Sequence, residues 1–259
     1  MNFKMKKFKG LILLLFFVGC LFFLVFLIYK GFSNKKSVKN SDYAFKLLDN
    51  GVVVDNQLAL PQKGEQIAAF TVKDYGVFKC RLFEKAMPNT VKNFINLVKA
   101  HRYDGLTFDE IISDLKIQCG DDADGVSDVK VKEYNASLHS YNGALCAVCP
   151  DESNVQTGQF YIVFSEAGRQ ADFDYLENSY SEDSENGIAK FDDGVRSNYK
   201  ERGGFPAYDL MGASVFGQVY EGIDVVEKMM NCPKNYDNLL DEPLPVNSIV
   251  IEKVEMLTI

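Results

Sequence analysis

The rhythm of apolar and polar positions changes several times along this chain. Leu11 to Tyr29 carries no charge. At about 1.5 Å per residue, such a run makes a helix roughly 28 Å long, close to the hydrocarbon thickness of a bilayer. Residues 30–64 then turn polar, with short apolar interruptions at Phe45-Lys-Leu-Leu48 and Gly51-Val-Val-Val54. From Ile67 a short apolar run begins, and from Val77 the period drops to two. Ile67–Val72 and Val77–Phe83 predict paired strands about a turn at Asp74-Tyr75-Gly76. Ala86–Lys99 switches to helical spacing: Pro88 suits a first turn, and Val91, Phe94, Ile95 and Val98 fall on one face.

Between Tyr103 and Asp121 the pattern predicts two short buried strands flanking a bend. The stretch opens on Asp104-Gly105, a dipeptide that tolerates positive φ. Its apolar positions are Leu106, Phe108, Ile111, Ile112, Leu115 and Ile117. Glu110, Lys116 and Gln118 interrupt them where a groove could use polar groups. Further strands are expected at Ala144–Val148, Gln159–Phe164, Val215–Val219 and Pro245–Glu255, with a second helix at Gly222–Met229. Residues 165–202 are acidic and tyrosine-rich and read as an inserted, partly helical excursion packed beside the groove. The domain reading is a basic tail at 1–10, a transmembrane anchor at 11–29, a juxtamembrane linker at 30–64 and a folded body at 65–259.

Composition narrows the function classes. The 259 residues are 47% hydrophobic and 25% charged, enough to bury a core. Net charge is −8, and the four bases of the first 29 residues are unopposed by acids. The remainder therefore sets 24 bases against 36 acids, a balance of −12. A body that acidic repels phosphate backbones, which argues against nucleic-acid binding. The apolar run is longer than a cleaved h-region of about 7–15 residues, so it predicts an uncleaved single-pass anchor in the cell membrane. Lysines balance on its two sides, so charge does not orient it. A short N-terminus before a large domain favours the domain on the extracytoplasmic side.

The central stretch, reading Tyr103-Asp-Gly-Leu-Thr-Phe-Asp-Glu-Ile-Ile-Ser-Asp-Leu-Lys-Ile-Gln-Cys-Gly-Asp121, resembles YDGLTFHRVIPDFMIQGGD of the cyclophilins, the peptidyl-prolyl isomerases. Ala86–Leu97 resembles the family's APKTVENFxxL helix, and Glu133–Gly143 its EFHPSLKHxxxG loop. Gln159–Phe164 is similar to its SQFFI strand, and Gly203–Asp209 to GGTPWLD. The resemblance covers roughly 65–259 without the excursion. It implies a mainly β fold, an eight-stranded closed antiparallel barrel capped by two α-helices. It also implies an outer groove that takes proline-containing polypeptides. The only histidines, His101 and His139, do not sit at ligand spacing to a cysteine pair, so no metal or cofactor is expected, and the chain is read as a monomer.

Isomerisation of an X–Pro bond is slow because the amide must lose its conjugation. Twisting localises a lone pair on the proline nitrogen, so a catalyst needs a donor or cation aimed there, a pocket for the ring, and donors for the flanking carbonyls. The resemblance implies that Gln118 and Gln159 are the family's groove amides. Phe108, Leu115, Phe160, Tyr161 and Tyr208 then fall at groove or pocket positions, and Val148 and Cys149 at the backbone clamp. The family's catalytic Arg falls on Glu110, which when ionised only accepts hydrogen bonds. The pocket Phe-Met pair reads Leu115-Lys116, the Trp position is Ala207, and the pocket His falls near Ala213. Lys116 is the local substitute cation, with Arg169 and Arg202 more remote, so Lys116 and Gln118 are the candidate catalytic pair. The alternative is a peptide- or protein-binding module that has lost catalysis. Cys146-Ala-Val-Cys149 has redox spacing, but it follows a strand rather than opening a helix, and small apolar filling is the simpler reading.

Overall fold

A computed structural model describes residues 51–120, 132–149, 157–166, 173–176, 191–235 and 244–259. The expected tail, the anchor at 11–29, the start of the linker and much of the 165–202 excursion lie outside the described residues. Among the described residues, no helix is long and apolar enough to cross a membrane.

In chain order the strands and helices are β1 (Gln66–Val72), β2 (Gly76–Leu82), α1 (Pro88–Lys99), β3 (Thr107–Ile112), β4 (Lys116–Cys119), β5 (Ala144–Ala147) and β6 (Phe160–Val163). There follow α2 (Asp193–Arg202), α3 (Pro206–Leu210), β7 (Ser214–Glu221), α4 (Ile223–Met230), β8 (Lys234–Asn235), β9 (Leu244–Pro245) and β10 (Ile249–Thr258). Eight strands close an antiparallel barrel in the order β1-β10-β3-β4-β6-β5-β7-β2. Closure leaves no free sheet edge. The short β8–β9 pair stands outside it.

The interior is filled by side chains, as a small barrel requires. Phe70 stacks on Phe78 at 4.6 Å. Phe94 of α1 meets Phe70, Phe160 and Phe216 within 6.1 Å. The stripe Val91, Phe94, Ile95, Val98 is buried as its spacing predicts, and α4 buries Val225, Val226, Met229 and Met230 in the same cluster. Gly222 leads into α4 at φ 80°, where a Cβ would come 2.5 Å from the Val77 carbonyl oxygen. The turn there needs glycine.

The first turn of α1 has no cap from its own N-cap residue, Met87. Glu133, 4% exposed, supplies one from a distant loop. Its carboxylate accepts from the backbone and side chain of Asn89 at 3.1 and 2.6 Å, and from those of Thr90 at 2.7 and 2.8 Å. A carboxylate at a helix N-terminus also opposes the positive end of the helix dipole.

Packing onto the barrel starts upstream of Glu65. Val52 and Val54 lie against the core. Gln57 is buried and pairs with the loop at His139: its amide donates to the His139 carbonyl at 2.7 Å and to Gln218 Oε1 at 2.9 Å, and accepts from His139 N at 2.7 Å. The described end of the excursion forms a second cluster around Tyr141, Phe191, Tyr199 and Leu210. There Asp209 accepts from Ser140 N at 2.7 Å and from the Tyr199 hydroxyl at 2.6 Å, with His139 Nδ1 at 2.8 Å.

Candidate functional site

Strand register sorts the sequence-derived site residues into two layers. On one face of β3, β4, β6 and β5, Phe108, Cys119, Phe160 and Ala147 form a row of cross-strand partners. All four are buried in the barrel interior. On the other face, Glu110, Gln118, Tyr161 and Cys146 form the next row. The expectation that Phe108 and Phe160 line the groove is corrected here. Both belong to the interior aromatic cluster, Phe108 meeting Phe160 edge-on at 6.2 Å. In regular β structure Phe108 and Glu110 would share a face. A register shift between them turns Glu110 outward.

The bend between β3 and β4 brings Lys116 back diagonally onto Glu110. Asp114 adopts φ 56° there, and its carboxylate accepts from Glu166 N at 3.1 Å. Lys116 Nζ forms an ion pair with Glu110 Oε1, and the two side chains are 16% and 24% exposed. The same ammonium donates to Gln118 Oε1 at 2.9 Å and lies 5.6 Å from the centre of the Tyr161 ring. An ammonium only donates, so the amide of Gln118 must turn its oxygen to Lys116. Its Nε2 protons are left facing away.

An aromatic wall continues from this charge cluster. Tyr161 meets Tyr208 at 5.4 Å, and Tyr208 meets Phe205 at 4.9 Å. Phe205 was not foreseen from sequence. It opens the segment that places Tyr208, and its edge-on contact with that ring braces the wall. Leu115, Ala207 and Ala213 are half-buried. The Val148 backbone is already engaged, its N–H donating to the Gln159 carbonyl at 3.1 Å and its carbonyl accepting from Thr157 N at 3.3 Å. Gln159 and Cys149 are half-buried beside it, and Cys149 Sγ lies 3.9 Å from Ser214 Oγ. Arg202 is exposed at the end of α2, and Arg169 lies outside the described residues.

Burial pushes the phenol of Tyr161 well above the usual tyrosine range, reinforced by its neighbour Cys146. It therefore stays protonated and able to donate. Burial also raises the Cys146 thiol, and raises that of Cys149 against the opposing influence of Lys132 and Ser214. A redox pair requires lowered thiol pKa values, so this geometry speaks against thiol chemistry at Cys146-Ala-Val-Cys149. Sequence reasoning placed both Glu110 and Lys116 in the groove but did not pair them. Their positions on either side of a tight bend carried that signal, because diagonal neighbours in a hairpin are within reach of long side chains.

The arrangement offers one ammonium, one amide donor and an aromatic wall on the outside of a closed barrel. The family model of the cyclophilin type peptidyl-prolyl cis-trans isomerases matches residues 67–256. A Staphylococcus aureus (strain USA300) protein named "Putative peptidyl-prolyl cis-trans isomerase" is 30% identical over 208 residues, covering 75% of this chain and 93% of its own. A Staphylococcus epidermidis protein of the same name is 29% identical over 213 residues, 76% of this chain and 97% of its own. Among solved structures, a Cryptosporidium parvum cyclophilin type isomerase superposes with a TM-score of 0.53 at 19% identity, covering 75% of this chain and 99% of that one. The same protein crystallised in the presence of the dipeptide Ala-Pro gives 0.52. At that identity the likeness speaks for the fold.

Proposed function

The chain belongs to the cyclophilin-type peptidyl-prolyl cis-trans isomerase family and is an enzyme of that class, a premise from which we propose that Lys116 and Gln118 carry the reaction on proline-containing polypeptides at the cell envelope. The observation that carries this reading is the placement of Lys116 Nζ. It stands on the outer face, bonded to Gln118 and above the ring of Tyr161. As the X–Pro bond twists, an N–H of Lys116 donates to the lone pair gathering on the proline nitrogen. The Gln118 Nε2 protons hold the carbonyl before the proline, and Tyr161, Tyr208, Phe205 and Leu115 receive the ring. The donors are set in advance and strengthen only as charge localises, which is how electrostatic stabilisation lowers a barrier. Because the cation has crossed from β3 to β4, the reaction is expected to run more slowly than with a forked guanidinium.

The uncharged run 11–29 supports a single-pass anchor, with the barrel as a monomer on the extracytoplasmic side. Protease digestion of intact cells tests that side: a protected domain reverses the orientation. Glu110 favours a second reading, a peptide-holding module, because its carboxylate neutralises the cation beside it. NMR exchange on a short X–Pro peptide decides between the readings. Catalysed exchange that is lost in Lys116→Met supports the catalytic assignment. Peptide shifts without exchange support the holding module. Exchange unchanged in Lys116→Met removes Lys116 from the reaction.

A further inference from the structure

We infer that Glu110 is a positioning residue for the same reaction: it fixes the direction of the one Lys116 proton that serves the substrate. The inference rests on the proposed catalytic role of Lys116.

A lysine side chain has a long flexible stem and three equivalent N–H donors. Left alone at a half-buried place, it would swing toward water and spread its protons over many directions. Here Gln118 Oε1 takes one of those protons, and Glu110 Oε1 holds the charge from the other side by an ion pair. A hydrogen bond on one side and an ion pair on the other confine the nitrogen and with it the remaining N–H directions. The two anchors come from neighbouring strands, Glu110 opposite Gln118 in the β3–β4 register. The barrel therefore sets the angle between them. Gln118 gains as well, since the ammonium holds its oxygen and leaves its Nε2 protons outward.

The charge of Glu110 is compatible with this role. The lone pair on a twisting proline nitrogen is not a full charge, and what it needs is a proton donor in the right place. A salt-bridged ammonium still offers one. In a forked guanidinium the fork itself sets the donor directions, whereas here two separate side chains do so for an ammonium.

The test is steady-state isomerisation by the full chain in detergent, with Glu110→Ala, Glu110→Gln and Lys116→Met measured on the same X–Pro peptide. Glu110→Ala is expected to lower kcat roughly tenfold with little change in KM, since misdirected donors cost turnover rather than affinity. Glu110→Gln keeps an acceptor and is expected to recover part of that loss. A purely structural role would not produce this split and this rescue at unchanged thermal stability. Activity in Glu110→Ala equal to or above that of the unaltered protein overturns the inference. So does a loss in Glu110→Gln as deep as in Glu110→Ala. Lys116→Met separates the two levels: if it alone abolishes turnover, the cation stands whatever Glu110 does, and if it changes nothing, the catalytic assignment itself fails.

Discussion

Glu133 and Glu110 are both glutamates held by other residues, one by hydrogen bonds and one by an ion pair. Glu133 is buried and accepts from two backbone amides and two short side chains that the fold fixes. Glu110 is partly exposed and its partner is the end of a lysine. A carboxylate tied to backbone N–H groups at a helix end serves the architecture, and any change there is a change in folding. A carboxylate tied to a lysine at the groove can be changed without disturbing a strand. The barrel thus separates charge that builds the domain from charge that positions a donor for a ligand.

The sharpest way to break this comparison is to remove each carboxylate in turn. Glu133→Ala strips four hydrogen bonds from a buried site and uncaps α1, and is expected to cost about 3 kcal/mol of stability, read by urea denaturation. A loss no larger than that of a surface substitution would erase the distinction. Next comes alkali. Asp209 resembles Glu133 in being buried among donors, one of them the phenol of Tyr199. Burial, with Asp209 beside it, holds that phenol well above its ordinary value of 10.0. An acid raised on folding contributes stability that is complete below its unfolded pKa and is lost as pH climbs past it. Unfolding should therefore ease above about pH 10, and Tyr199→Phe should flatten that slope. Unchanged alkaline sensitivity in Tyr199→Phe would assign it to other tyrosines.

Smaller in free energy, and opposite in kind, is Lys116→Met. It should lower kcat/KM by at least about tenfold, near 1.4 kcal/mol, while leaving the denaturation midpoint within error. Loss of both together would make Lys116 a structural residue. Smallest of all, Glu110→Gln should shift stability by less than about 1 kcal/mol, as a partly exposed ion pair does.

Much of this was legible in the residue pattern, for physical reasons that also explain the failures. Val77–Phe83 alternates because its strand has one face inside the barrel, whereas Ile67–Val72 is apolar nearly throughout and buried along most of its length. Val91, Phe94, Ile95 and Val98 recur because α1 has one buried stripe. Those periods are local and survive in any environment. The split between Phe108 and Glu110 was not legible, because the register shift that separates them depends on how β3 meets β4. Phe160 and Tyr161 were assigned to the groove together, although adjacent strand residues must point to opposite faces. The alternation itself would have excluded one of them. Gln57 and Glu133 gave no local signal. Each is buried by partners brought from afar, Gln57 by residues 82 and 161 positions away, and only the folded chain puts them there.

The pairing of β1 with β10 also constrains how the protein is made. Ile67 lies opposite Leu257, so the first and last strands of the barrel share a ladder. During synthesis the early hairpin of β1 and β2 emerges with both flanks open, that of β2 until β7 is made and that of β1 until β10 is made. Late closure over so long a loop favours slow folding. For that interval the nascent chain exposes an unpaired strand, the kind of surface that invites aggregation. Removing β10 would make that transient state permanent, because β1 and β3 are joined into the barrel through it.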